Sequence, residues 1–216
     1  MIPLVLPSKK NVIKTNPEDP IDFYYYPLIG WVYRKRLINT LSLVDGSFEN
    51  VLDIGYGSGL LFPSMLKFSK TCYGLETHGQ EEAVMQTMSR EGLPPERVIL
   101  NSGSILKMPY ADNFFDFIVS VSTLEHIAEL DLAMAEMRRV LKPGAQAVFS
   151  FPVRNPVTDR FYRLFGYNPR EIHPSSHNDI ISAAGKYFTV KKQLNFPNFK
   201  NADFTLYTTI LCEKAQ

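Results

Sequence analysis

The chain reads as a doubly wound α/β protein: a mostly parallel seven-stranded sheet with the last strand antiparallel and helices on both faces. Three observations lead to this. Short apolar strands alternate with amphipathic helices from Asn50 to Phe151, the rhythm of a parallel sheet covered on both sides. One of those strands runs directly into the glycine-rich turn Gly55-Tyr56-Gly57-Ser58-Gly59. After Phe151 the rhythm breaks, and the last two strand candidates are joined by a connection too short for a helical crossover, so they should pair antiparallel.

The elements follow in order. Residues 1–20 hold four prolines and few apolar clusters, an extended arm. A helix is expected from the Asp22–Pro27 region to about Leu43, with Leu28, Trp31, Ile38 and Leu41 on one stripe. Strands are expected at Asn50–Ile54, Thr71–Leu75, Arg97–Asn101, Phe114–Val119 and Ala145–Phe151. The helices between them are Gly59–Phe68, Gln80–Arg90 (stopped by Gly92 and Pro94-Pro95) and Leu130–Leu141, ended by Lys142-Pro143-Gly144. Ser175 or Ser176 should cap a helix over Asn178–Ala184, and Tyr187–Leu194 and Phe204–Cys212 close the sheet. This organises one domain: arm and cap helix over 1–45, a ligand-binding core over 46–152, a substrate lid over 153–183, and a strand pair over 184–216.

Composition narrows the function classes. A formal net charge of +1 gives no bulk attraction to nucleic acid. The two cysteines, Cys72 and Cys212, sit in apolar strands outside any metal spacing, which suits a reducing cytoplasm. No apolar run approaches the ~20 residues of a membrane span, and Met1–Lys10 does not read as a signal peptide.

The chemistry-bearing residues gather at strand ends. In an open parallel sheet, ligands bind at the carboxyl ends of the strands where the strand order reverses. Gly55, Gly57 and Gly59 would bring backbone N–H groups close to a ligand, and Asp53 could anchor the turn or accept from an ammonium group. Glu76, followed by Thr77, lies 21 positions after Gly55 at the second strand end, where a carboxylate can accept both hydroxyls of a ribose.

The ordered segments VLDIGYGSG, YGLE, GSILKMPYADNFFDFIVSVSTLEHI and EMRRVLKPGAQAVFSFP resemble the class I S-adenosylmethionine-dependent methyltransferases, and among them the type 11 group of small-molecule, lipid and quinone enzymes. The resemblance spans about residues 45–152 and implies a Rossmann-like fold, a cytoplasmic transferase, and S-adenosyl-L-methionine as the methyl donor, leaving S-adenosyl-L-homocysteine. It implies Gly55, Gly57 and Gly59 as the cofactor loop, Asp53 at the methionine end, Tyr56 near cofactor or substrate, Glu76 at the ribose, Thr77 also touching the cofactor, Ser104 and Ile105 at the adenine, and Ser120 and Val121 along the methionine. Many members carry Asp where this chain has Ser104. A serine makes a weaker hydrogen bond there than a carboxylate.

Methyl transfer needs a base only when the acceptor must lose a proton, and His126 in Leu124-Glu125-His126 is the candidate, set against a packing role. Tyr26, Trp31, Phe161 and Phe165 are the expected acceptor walls, on the cap helix and the lid. Aromatics beside Arg34-Lys35-Arg36 suit a membrane surface or nucleic-acid bases, but equally a helix with a solvated basic face, the favoured reading. His173 and His177 stand four apart as a conceivable metal pair, but Pro174 disfavours a helical His173, and no metal is expected. The partner expected is a small or amphipathic acceptor, with peripheral membrane contact left open. Against a nicotinamide oxidoreductase, Leu60 stands where that fingerprint needs its third glycine. Against an RNA or protein amine methyltransferase, Ser120-Val121-Ser122-Thr123 replaces the Asn-Pro-Pro-Tyr type of motif. A methyltransferase fold kept as a non-catalytic scaffold is the other alternative.

Overall fold

A computed structural model describes residues 2–16, 19–156, 158–160, 168, 173–198 and 204–216. Most of the lid expected over 153–183, including Phe161 and Phe165, lies outside the described residues. The sheet has seven strands: β1 Phe48–Ile54, β2 Ser69–Glu76, β3 Val98–Ser102, β4 Phe115–Val121, β5 Leu141–Pro152, β6 Thr189–Phe196 and β7 Tyr207–Glu213. Their order is β3-β2-β1-β4-β5-β7-β6, parallel from β3 to β5, with β7 antiparallel to both neighbours.

Alternation along the strands sends apolar side chains to both faces. Val51, Phe117, Val119 and Val148 meet one core, under helices α2 (Ile29–Ser42), α3 (Phe62–Met65) and α4 (Glu81–Arg90). Leu52, Ile118, Ala147 and Phe149 meet the other, under α5 (Leu130–Val140) and α6 (His177–Tyr187). A strand apolar on both faces must be covered on both, so helices are required on each side of the sheet. The exposed edge strand β6 carries Lys191 and Lys192, charges that discourage further strand pairing.

Several expected boundaries shift for local reasons. The single cap helix is two: α1 (Ile21–Tyr25) and α2, broken at Tyr26, whose extended backbone (ψ 142°) is what a following proline imposes. The expected stripe on α2 is also rotated. Leu28 and Trp31 are exposed, while Gly30, Leu37, Thr40 and Leu41 are buried. The helix expected from Gly59 shortens to Phe62–Met65, flanked by tight turns. Lys142-Pro143-Gly144 does not separate α5 from β5. Leu141 pairs with Phe115, and an irregularity in the β4–β5 register between Phe115 and Phe117 takes up the Pro-Gly pair.

The N-terminal arm is extended, as expected, but it is stitched down along its length. The Val5 N–H donates to Ser64 Oγ (2.8 Å), the Ile13 N–H to Thr87 Oγ1 (3.0 Å) and the Thr15 N–H to Ser58 Oγ (3.1 Å). Ile2, Leu4, Leu6 and Val12 pack on the core beneath. The arm therefore ends on the glycine turn. At the other end of the chain α6 is capped by Ser176, whose Oγ accepts from the Asp179 N–H (3.3 Å) while the Asp179 carboxylate accepts from the Ser176 N–H (2.9 Å). Ser176→Ala is expected to lower stability by about 1 kcal/mol, read as a reduced denaturation midpoint with an unchanged denaturant slope. An unchanged midpoint would show that the cap contributes nothing.

Candidate active site

The strand order reverses at β1, with β2 on one side and β4 on the other, so the carboxyl ends of β1, β2 and β4 open a crevice at the switch point. The Gly55–Gly59 turn leaves β1 there. Gly55, Gly57 and Gly59 all adopt positive φ (77°, 51° and 76°). Gly55 is doubly constrained, because a Cβ would also collide with the Thr123 side chain. Thr123 sits so close because its Oγ1 donates to the Ile54 carbonyl (3.1 Å), tying the end of β4 across to β1.

Glu76 closes the turn from the β2 side. Its Oε2 accepts from the Gly57 N–H (3.2 Å), and its Oε1 accepts from the Thr77 N–H (2.8 Å) and Oγ1 (3.3 Å). His78 adds a contact from the same loop, its Nε2 3.0 Å from the Gly57 carbonyl oxygen. Its Nδ1 accepts from the Gln80 N–H (2.9 Å), so in the neutral ring Nε2 is the donor. Tyr56 stands over β2 at Gly74, where any Cβ would come within 2.5 Å of its ring. Its hydroxyl is buried and has no hydrogen-bond partner among the described residues, and the same holds for Ser120 Oγ at the end of β4. Burial holds the Tyr56 phenol above its ordinary pKa.

Asp53 is buried on β1 beside this crevice. Burial, reinforced by the negative charge of Glu76, pushes its carboxyl up to about 8. On the third strand end Ile105 is buried, whereas Ser104 is exposed and its Oγ accepts from the Leu106 N–H (3.2 Å). Val121 is half-buried next to Ser120.

The far side of the crevice holds a buried arginine. Arg36 was expected on a solvated basic face; it is buried. Its guanidinium lies over the rings of Tyr24, Tyr33 and Tyr207 at 5.2, 5.3 and 5.4 Å. It donates to the Tyr24 hydroxyl, to Ser122 Oγ (2.6 Å) and, more weakly, to the Tyr207 hydroxyl (3.4 Å). Helical spacing puts Arg36 beside Leu37, Thr40 and Leu41 on the inner face of α2, a face that Leu28 and Trp31 had seemed to define. Asp19, whose carboxylate accepts from Ser58 Oγ (2.7 Å), completes this side. Burial raises its carboxyl against the opposing pull of Ser58 and Arg36. Arg36, Asp19, Thr123 and His78 carry no motif. The glycine at 55 is the one sequence feature that touches them, and it does not say what presses on the turn.

The expected acceptor aromatics lie further out. Tyr26 is exposed, with the Lys9 ammonium 5.4 Å from its ring centre, and Trp31 is exposed and edge-on to Phe196 at 5.2 Å. His126 is exposed at the end of the 3-10 turn Leu124–His126, its ring 5.0 Å from that of His173. His173 and His177 do not act as a pair: His173 faces Glu125 and His126 across the chain, and His177 begins α6.

This architecture is the class I methyltransferase fold. Residues 52–149 match the methyltransferase domain family. Among curated proteins it is similar to norajmaline N-methyltransferase of Rauvolfia serpentina, 31% identical over 109 residues, 50% of this chain and 37% of that protein. It is also similar to methyltransferase GfsG of Streptomyces halstedii, 33% identical over 128 residues, 58% of this chain and 45% of the other. The chain thus spans about half or less of the curated relatives it matches. Among solved structures, the N-methyltransferase NodS from Bradyrhizobium japonicum, in complex with S-adenosyl-L-homocysteine, shares the fold with a TM-score of 0.67. The alignment covers 94% of this chain and 95% of that one at 18% identity.

The raised Asp53 carboxyl has a consequence for stability. The folded state binds this proton more tightly than the unfolded chain, whose Asp titrates near ~3.9. The associated stability is therefore complete below about pH 4 and is lost as pH rises through about 8. The ligand-free protein is expected to lose thermal stability across that range, by up to ~1.4 kcal/mol per pH unit. Asp53→Asn should flatten the decline. The same pH profile in the variant would exonerate Asp53.

Proposed function

We propose that the protein is an S-adenosylmethionine-dependent methyltransferase that transfers a methyl group by direct displacement to a small or amphipathic acceptor. The observation that carries the reading is the carboxylate of Glu76 at the β2 end, held on the Gly57 N–H of the glycine turn, with orphaned polar atoms of Tyr56 and Ser120 buried nearby. A buried polar atom left without a partner costs stability, so such atoms at a ligand crevice suit a polar ligand.

S-adenosylmethionine supplies an already activated sulfonium methyl, so the protein's task is positioning. Glu76 and Thr77 would hold the ribose hydroxyls, and Ile105 with Ser104 would flank the adenine. The Gly55–Gly59 turn, Ser120 and Val121 would border the methionine. Asp53, kept protonated by burial, would ionise on meeting the methionine ammonium, since a neighbouring cation favours the carboxylate. Arg36, a cation bonded to the neutral hydroxyls of Ser122 just past β4 and Tyr207 of β7, is suited to a carboxylate. Tyr56 would lie between cofactor and sheet.

The acceptor would enter on the side of α1 and α2. Tyr24, Tyr33 and Tyr207 form the inner wall there, and Tyr26 and Trp31 the outer rim. Where the acceptor must lose a proton, His126 is the histidine at this strand end. Of the lid expected over 153–183, the part before α6 would cover the acceptor, since Ile180 and Ala183 of α6 pack in the core. Among the described residues no helix is long and apolar enough to cross a membrane. Cys72 and Cys212 are buried free thiols, which suits a cytoplasmic setting.

Glu76→Ala is expected to weaken S-adenosylmethionine binding by ~10-fold or more, since a charge-assisted pair is worth roughly 1.5–3 kcal/mol. Calorimetry on a variant with an intact thermal transition reads this, and unchanged affinity would remove Glu76 from the site. For the lid, Phe161→Ala and Phe165→Ala should raise the acceptor KM and leave cofactor affinity intact. A loss of global stability in these variants would instead make the two rings part of the core.

A further inference from the structure

The turn after β4 and the start of α6 bring together three metal-ligating side chains that no glycine motif explains. Glu125, His126 and His173 each offer one ligand atom, and the three atoms lie within 4.8 Å of one another. The two segments are fastened: the Ser175 N–H donates to the Glu125 carbonyl (3.2 Å) and Ser175 Oγ to the Ile127 carbonyl (2.5 Å). The Ser176–Asp179 capping box then fixes the helix that follows. This fastening holds His173 over a turn 47 residues earlier in the chain (173 − 126).

A second observation points to a ligand here. Glu125 is buried, and its Oε2 has no hydrogen-bond partner among the described residues. Carboxylate oxygens are placed in protein interiors at high cost unless something compensates them. Burial likewise favours a neutral His173, the form that ligates. His126 is exposed, so one side of the triad opens to solvent.

We propose that Glu125, His126 and His173 form a binding site for a divalent transition-metal cation, with an open coordination position facing solvent. Two imidazoles and one carboxylate are a set that zinc and its first-row neighbours accept, and magnesium or calcium prefers more oxygen. Bonds of ~2.0–2.2 Å put ligand atoms roughly 3–3.5 Å apart, so from a spread within 4.8 Å the side chains need close by at most roughly 1.3–1.8 Å. Two cations oppose the site: Arg154, whose Nη1 donates to the His173 carbonyl (3.2 Å), and Arg36, which acts on Glu125 through space. On binding, the Glu125 carboxyl gives up its proton, and the resulting carboxylate offsets them. Thr123, two residues before Glu125, packs on Gly55, so a cation here would lie near the proposed cofactor turn. A metal-bound His126 has no lone pair left for a proton, so ligation would replace its role as a base.

The test needs no cofactor or acceptor, so its result is independent of the methyl-transfer reading. The full chain, stripped with chelator, is titrated with Zn2+ by calorimetry and with Co2+ by visible absorption. The expected result is one equivalent bound, with a cobalt spectrum of low coordination number. Glu125→Gln and His173→Ala should each weaken this by at least ~10-fold, the loss seen even for outer-shell partners. His126→Ala, at an exposed position, should do the same with the thermal transition intact, which covers the case where a buried variant fails to fold. No saturable binding would overturn the site, as would binding that survives His126→Ala unchanged.

Discussion

Everything at the crevice depends on how the chain leaves β1. A parallel strand ending at a switch point must turn at once, and here the turn is made under pressure from two sides. Thr123 reaches over from β4 to the last carbonyl of β1, and the Glu76 carboxylate reaches over from β2 to the N–H of Gly57. Only a residue without a side chain fits between Thr123 and β1, and only one tolerant of positive φ can then continue the path. The three strand ends are thereby locked into one rigid edge, to which α2, the N-terminal arm and the β4 turn attach.

Desolvation is the theme on that edge. Asp53, Glu125 and Arg36 are all buried, and each is placed where a charge is costly unless matched. The two carboxyls respond by holding their protons to about 8. Arg36 cannot respond in that way and is instead wrapped in tyrosine rings and hydroxyls. Groups of this kind weaken a ligand-free protein and gain from a charged ligand, a trade seen where sites are preorganised. The arm contributes to the same economy: by carrying Thr15 and Asp19 onto Ser58, it shields the glycine turn from water without adding an element of secondary structure.

The sheet and its two cores were legible because they rest on local signals. Period-two and period-3.6 patterns survive in any tertiary context, and the apolar runs of β1 and β4 could only be strands covered on both faces. Boundaries moved where a local rule competed with packing. Pro27 split the cap helix, and the β-bulge absorbed Pro143-Gly144 inside β5. The face of α2 was misjudged because Leu28 and Trp31 looked like core, while a buried arginine has no hydropathic signature.

The sequence by itself determined the order of strands and helices, the glycine turn, and the carboxylates at the ends of β1 and β2, because each is a short-range pattern. Tertiary structure decided which distant side chains meet: Thr123 with Gly55, Ser58 with Asp19, Arg36 with Ser122 and Tyr207, and His173 with Glu125 and His126. The reason is that these pairs lie tens of residues apart and share no period. Their proximity is a product of the register between strands and the path of the connections, which no window along the chain contains.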